Sequence, residues 1–270
     1  MPQLLFVFLV AGLASSCQVL QKEAINQPLA IPTSSSSPKP AQGFVEKAHT
    51  NALGETMRYL LFVPEGSDRS KSYPLVLWLH GGGSRGNDLK LLLAHGNVHG
   101  IGFLARADNQ VRYPSYILAP QCPTNRFWGD SESNHPTTEM KLVLEILEKV
   151  RREYRVDSSR IYVMGMSLGG YGTWDIITRS PTTFAAAVPI CGGGEVSKAL
   201  LIAKTPIWAF HGDEDDMVNV SESRRMVEAI KKAGGQPRYT EYKGVGHDSW
   251  VQAFKEPDFL SWIFAQTRSQ

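Results

Sequence analysis

Cysteine is almost missing from this chain. Cys17, Cys122 and Cys191 are the three among 270 residues, too few for a disulfide scaffold. Runs of basic residues are missing too. The formal net charge is +2, and "RSK" (69–71), "RR" (151–152) and "KK" (231–232) are short and scattered. Nucleic-acid binding has no support in that composition. His and acidic residues never take the H-E-x-x-H spacing or a similar ligand spacing, so no metal or organic cofactor is expected. A G-x-x-x-x-G-K-[ST] loop is also lacking, which argues against phosphate cradling despite 24 glycines. What is present, 42% hydrophobic and 20% charged residues, suits a soluble globular domain with a full core.

The first 43 residues have their own character. "LLFVFLVAGLASS" (4–16) is apolar and then small. It is too short for a spanning helix and fits the apolar region of a signal peptide, expected over 1–16. Small residues directly before Cys17 resemble the bacterial lipoprotein processing site, where that Cys is lipidated and becomes the mature N-terminus. The other reading is ordinary signal cleavage nearby. Either way the chain is expected to be exported, as a periplasmic or cell-surface lipoprotein or as a secreted protein. Residues 17–43 contain "NQPLAIPTSSSSPKPAQG", without an apolar period. Such a segment reads as a tether, which would hold a folded domain off a membrane if Cys17 anchors it.

From residue 44 to 270, short apolar runs alternate with helical patterns. Strands are expected at "RYLLFVP" (58–64), "YPLVLWLHG" (73–81), "SYILAPQ" (115–121), "RIYVMGM" (160–166), "FAAAVPICG" (184–192), "PIWAFHG" (206–212) and "RYTEYKGVG" (238–246). Near-continuous apolar strands imply a parallel sheet covered on both faces. Helices are expected at 137–154, where Met140, Val143, Leu144, Ile146, Leu147 and Val150 form a stripe. A second is expected at 221–235, with Ser221 as candidate cap, and a closing one at 250–267, broken near Pro257. The alternation predicts a single α/β domain.

The chemistry centres on "YVMGMSLGGYGTWD" (162–175). "GMSLG" fits G-x-S-x-G between a predicted strand and a predicted helix. There the two glycines allow a turn too tight for a Cβ, and Ser167 is held strained and exposed. A nucleophilic serine needs a base. His247 in "GVGHDSW" directly follows the last predicted strand, whereas His80 and His211 end strands and read as structural. An orienting acid is expected in "HGDEDDMV", which offers Asp213, Glu214, Asp215 and Asp216, with Asp215 favoured. Two backbone N–H groups must receive an oxyanion. Leu168 supplies one. The glycine-rich "LHGGGSRGND" (79–88) supplies the other, through Gly82 with Gly83 as alternative.

These five segments, with "APQCP" and "FW" (119–128), resemble the α/β-hydrolase superfamily. Among its members they are similar to bacterial exported esterases of the polyhydroxybutyrate-depolymerase-like and feruloyl-esterase-like kind, a group that also includes predicted peptidases. The likeness covers 44–270. It implies a mostly parallel sheet of about eight strands, so an eighth is expected to be hidden in 44–57. It also implies acyl transfer through Ser167, His247 and Asp215, in the chain order Ser–Asp–His. In this superfamily lids often follow the sixth strand. Here the gap 192–205 holds at most one helix, so no large cap domain is expected.

An open cleft suits short-acyl or aryl esters, including feruloyl or acetyl groups on polysaccharide. Trp128 and Trp250 are candidates for its walls, with packing as their other reading. Tyr171 and Trp174 are expected in the core. The superfamily's strand order separates the strands before Cys122 and Cys191 by about 14 Å. A disulfide needs Cα atoms within about 7 Å, so two free, mostly buried thiols are expected. A serine peptidase of the same fold would use every residue named above. A non-catalytic tethered binding protein would have no need of the complete Ser, His and Asp set.

Overall fold

The computed structural model describes residues 43–65, 70–130 and 133–268. The signal-peptide segment, Cys17 and the tether up to residue 42 lie outside them. Among the described residues eight strands form one sheet in the order β1-β2-β4-β3-β5-β6-β7-β8. They are β1 (Phe44–Thr50), β2 (Thr56–Phe62), β3 (Tyr73–Leu79), β4 (Tyr116–Pro120), β5 (Val156–Met166), β6 (Ala186–Ile190), β7 (Trp208–Gly212) and β8 (Arg238–Tyr242). β1 and β2, and β2 and β4, pair antiparallel; the remaining neighbours are parallel. The fold is therefore α/β, and the eighth strand sought in 44–57 is β1. Its alternating, half-exposed pattern had no continuous apolar run to mark it, because an edge strand buries little.

Among the described residues eight α-helices accompany the strands: α1 (Ile101–Leu104), α2 (Ala107–Arg112), α3 (Thr138–Glu153), α4 (Leu168–Arg179), α5 (Ala199–Ile202), α6 (Ser221–Lys232), α7 (Trp250–Ala253) and α8 (Phe259–Ala265). α3 begins where the Thr137 side chain accepts from the Met140 N–H, and it buries Met140, Val143, Ile146, Leu147 and Val150. At α6 the expected cap is displaced. Ser221 is the first helical residue, and Asn219 Oδ1 accepts its N–H at 2.9 Å. The closing segment is two helices, α7 and α8, with Pro257 between them, since proline cannot supply the N–H a continuous helix needs. β8 stops at Tyr242, four residues before its expected end, and the "GVGH" stretch is loop.

Two apolar clusters cover the two sheet faces. One contains Leu77, Trp128, Val143, Val163 and Trp174. The other contains Trp78, Tyr162, Val188, Trp208 and Phe259. Between β6 and β7 lie only a short turn and α5, and no cap domain is inserted there. Among the described residues no helix is long and apolar enough to cross a membrane.

β3 and β5 separate β4 from β6, so Cys122 and Cys191 sit beyond disulfide reach and are free and buried. Burial pushes each thiol up to about 12. The reactive thiolate is therefore scarce at neutral pH. In a Cys17→Ser variant, a thiol reagent should leave Cys122 and Cys191 unmodified in the folded protein and titrate both after unfolding without reductant. Failure to release both thiols would contradict this arrangement.

Candidate active site

The site stands at the C-terminal ends of β3, β5, β7 and β8, beside the β3–β5 boundary where the chain reverses its winding direction. Crevices of open α/β sheets form at such switch points. β3 and β5 run in register, with Leu79 opposite Gly165. The chain then passes through Met166 and Ser167 into α4. A Cβ on Gly169 would lie 1.8 Å from Leu79 O, and one on Gly165 would lie 2.4 Å from Gly169 O. Neither position can carry a side chain. Ser167 itself has φ 54° and ψ −117°, a strained conformation for a residue with a Cβ. Its N–H is anchored on Ile190 O at 2.9 Å. The strain lifts Oγ clear at the positive end of α4.

His247 follows β8 on its loop. Its Nε2 lies 2.8 Å from Ser167 Oγ, and its Nδ1 lies 2.8 Å and 3.0 Å from the two Asp215 oxygens. Asp215 is 9% exposed. Burial alone would raise its carboxyl. The N–H groups of Val218 and Met217, together with the His247 ring, outweigh that and hold it below the ordinary carboxylate range. An ionised carboxylate can only accept, so the His247 proton sits on Nδ1 and Nε2 faces the serine as a base. Three neighbouring acids are elsewhere. Asp213 accepts the Gly244 N–H at 2.7 Å, and Glu214 and Asp216 are exposed. Geometry thus brings Ser167, His247 and Asp215 together, an arrangement able to deprotonate a hydroxyl as it attacks.

His211 adds a contact that the sequence did not reveal. Its Nε2 is 2.9 Å from Val218 O and 3.2 Å from Asp215 Oδ2, both acceptors, so that nitrogen carries a proton. Ser223 Oγ meets its Nδ1 at 2.7 Å. Burial draws this imidazole's pKa down, and it serves as a neutral prop for Asp215. Cys191, Asp215 and His247 offer three potential ligand atoms within 4.8 Å of one another. Two of these are already committed to each other, and the third is a thiol held protonated by burial.

Gly82 and Leu168 each lie three residues beyond the paired Leu79 and Gly165. The Leu168 N–H opens α4 and has no acceptor within the helix. The Gly82 carbonyl is held by Arg85, through Nε at 3.1 Å and the backbone N–H at 3.3 Å. Gly83 is exposed in the same short turn.

Trp128 is no pocket wall. It is fully buried and supports this loop from below. Its Nε1 donates to His80 O at 3.0 Å, and its ring meets the His80 ring edge-on at 4.9 Å. Trp250, half-buried, packs edge-on against His247 at 5.4 Å.

A cavity of about 350 Å³ opens beside Ser167, lined by Phe127, Gly129, Leu168, Tyr171 and Asp175. Phe127 is 57% exposed and is the wall that Trp128 was expected to be. Tyr171, expected in the core, is half-buried and faces this cavity.

His80 is the keystone of the Gly82 loop. Its Nδ1 donates to Gly81 O at 2.7 Å, and its Nε2 accepts the Cys122 N–H at 3.0 Å. Burial lowers its pKa from 6.5 to about 4. Below pH 6.5 the unfolded chain binds a proton that the folded chain refuses. Stability contributed by neutral His80 is therefore present above pH 6.5 and lost as pH falls toward about 4, by roughly 3 kcal/mol in all. Urea unfolding at about pH 7 and about pH 4.5 should show a steeper loss for wild type than for His80→Gln. Parallel losses would contradict this role.

Comparison with known proteins agrees with the geometry. Residues 125–257 match the model of the Dienelactone hydrolase family. A thermostable esterase of known structure superposes with a TM-score of 0.81 at 40% identity, over 85% of this chain and 64% of that one. The bifunctional acetylxylan esterase/xylanase of Neocallimastix patriciarum is 28% identical over 86 residues, 32% of this chain and 13% of its own length. The probable feruloyl esterase C of Aspergillus terreus is 28% identical over 139 residues, 52% of this chain and 47% of its own length. The chain thus spans less than half the length of these two curated relatives. An eight-stranded, mostly parallel sheet, a serine on a strand–turn–helix junction and these likenesses converge: the chain has the α/β-hydrolase fold.

Proposed function

We propose that the chain is an exported serine hydrolase of carboxylic esters, acting through Ser167, His247 and Asp215. The observation that carries this reading is the 2.8 Å contact of Ser167 Oγ with a His247 ring whose other nitrogen is bound to the Asp215 carboxylate. His247 Nε2 takes the serine proton as Oγ attacks the ester carbonyl. The oxyanion is held by the Leu168 and Gly82 N–H groups. His247 then gives the proton to the departing alcohol, leaving an acyl group on Ser167. Water, deprotonated by His247, attacks that acyl carbon and releases the acid. Asp215 keeps the required tautomer and stabilises the imidazolium.

The proposed substrates are short-acyl or aryl esters, including feruloyl or acetyl groups linked to polysaccharide. The absence of an inserted cap between β6 and β7 supports a bulky alcohol side. The named activities of the acetylxylan and feruloyl esterase relatives point the same way. In this reading residues 1–16 direct export, Cys17 carries a lipid or is lost at cleavage, and 17–43 tether a catalytic domain of 44–270.

A panel of p-nitrophenyl acetate, methyl ferulate, acetylated xylan and aminoacyl anilides tests the assignment. Ser167→Ala should lower kcat on esters by on the order of 10⁵-fold, and Asp215→Asn by about 10⁴-fold. Full activity in Ser167→Ala would end the proposal. Turnover of anilides in preference to esters would replace it with a peptidase.

A further inference from the structure

Basic residues that lie scattered along the chain are gathered by the topology at one end of the sheet. β3 to β8 run parallel, so all six begin at that end, and Ser167 follows the other end of β5. Lys71 stands just before β3 and Arg112 shortly before β4. Arg155 and Arg160 bracket the start of β5, where its register with β3 shifts. The Tyr73 N–H donates to Arg155 O at 2.9 Å, which fixes Arg155 beside the β3 start. Arg151 and Arg152 close α3 at the same end. Cations in a last helical turn answer the helix dipole. Lys71, Arg155 and Arg160 are in no helix, so the dipole does not account for them. Among the described residues the acids on these segments are Glu65, Glu153 and Asp157. Lys149 pairs with Glu153, and Arg160 with Asp157 at 2.7 Å. No described carboxylate pairs with Arg112, Arg152 or Arg155, and all three are exposed.

Lys71, Arg112 and Arg160 also line a cavity of about 410 Å³, with Tyr113 and Phe264 as its aromatic wall. The two rings stack at 5.0 Å, and the Arg112 guanidinium lies 5.7 Å from the Tyr113 ring centroid. Val111, next to Arg112, is 83% exposed. Cations around an amphipathic tyrosine and a bare aliphatic side chain suit the headgroup region of a bilayer. The guanidinium fork fits a phosphate.

The path of the chain names the occupant. The domain begins at Gly43 and Phe44, and Phe44 packs on Phe62 at 5.3 Å between centroids. Phe62 pairs with Ile117, one residue past the start of β4. Phe62 and Val111 line one further cavity. The entry of the chain and the basic residues therefore share one end. Residues 1–42, with the apolar stretch 4–16 and Cys17, join the domain there. The opposite end carries the other sign. The loops after β7 and β8 hold Asp213, Glu214, Asp216 and Asp248 against Lys243 alone. An anionic surface attracts the first end and repels the second.

We propose that the basic end is a docking face for a bilayer of anionic phospholipid, with lipid phosphates held at Arg112, Arg155 and the cavity between Lys71 and Arg160. The seven residues of β3 then keep Ser167 about 20 Å from the headgroups, facing away from the bilayer. Docking requires neither the ester chemistry at Ser167 nor a lipid on Cys17.

The full chain carrying Cys17→Ser tests this, with a fluorophore on Val111→Cys or, at the opposite end after β6, on Val196→Cys. Cys122 and Cys191 are buried and stay unlabelled. The probe is a vesicle of phosphatidylglycerol and phosphatidylcholine, about one to two, with a nitroxide quencher on its headgroups. The Val111 label should be quenched and the Val196 label spared. Salt at about 0.5 M should abolish the difference, because the screening length falls to a few ångströms. Vesicles of phosphatidylcholine alone should leave the two labels equal. The apolar stretch 4–16 can hold the chain on either vesicle, but it is common to every arm and favours neither label. Arg112→Glu with Arg155→Glu should raise the lipid concentration needed for quenching at least about tenfold, with hydrolysis of p-nitrophenyl acetate unchanged. Were that double variant to misfold, the label and salt comparisons still decide. Equal quenching of the two labels, quenching at Val196 alone, or quenching indifferent to salt and to both substitutions would overturn the proposal. Self-association at low salt with both labels unquenched would overturn it too, and would make the partner a second copy, basic end to acidic end.

Discussion

Everything in the site depends on one close approach. The start of α4 lies so near the end of β3 that a Cβ on Gly169 would sit 1.8 Å from Leu79 O. That contact sets the sharpness of the turn at Ser167 and its positive φ. It also seats the first turn of α4 against Leu79 and His80, from which the Gly82 loop departs. A looser junction would relax the turn that carries the serine. The strain is tolerated because β3 and β5 are central strands, buried on both faces and held by the register that pairs Leu79 with Gly165.

Around that junction the buried polar groups form two separate supports. One holds the acid: Asp215 takes two backbone N–H bonds, the His247 ring and the His211 prop. The other holds the loop: His80 bridges Gly81 and Cys122 while Trp128 carries its carbonyl. Both use neutral imidazoles kept so by burial, a role opposite to that of a surface histidine. Low dielectric strengthens such networks when every member has a partner. Asp175 lies outside both supports; its Oδ1 has no hydrogen-bond partner, and the residue lines the cavity beside the serine.

Much of this was legible before folding. G-x-S-x-G named Ser167 because its glycines have a steric reason that survives any context. His247 was marked by its place after the last strand. Asp215 was one of four acids, and only burial and its backbone donors separate it from the others. β1 was inferred from the family likeness and not from its own residues. In 82–112 the glycine-rich loop was legible, but the short turns and helices carry no long period that would mark them. Trp128 takes the packing role that its sequence left open, and its neighbour Phe127 lines the cavity. In an irregular loop neighbouring side chains can face opposite ways, so Phe127 is exposed and Trp128 fully buried.

The sequence by itself determined the α/β alternation and the place of Ser167 on a strand–turn–helix junction, because these follow from local sterics and apolar period. Tertiary structure alone decided which acid meets the histidine, which aromatic lines the cavity and which face of α4 is left open. Tyr171 and Asp175 stand at helical spacing from Ser167 in any reading of the chain. Only the placing of Phe127 and Gly129 across from them makes part of that face the floor of the cavity. Which faces are covered depends on contacts between segments distant in sequence, and no local pattern encodes those.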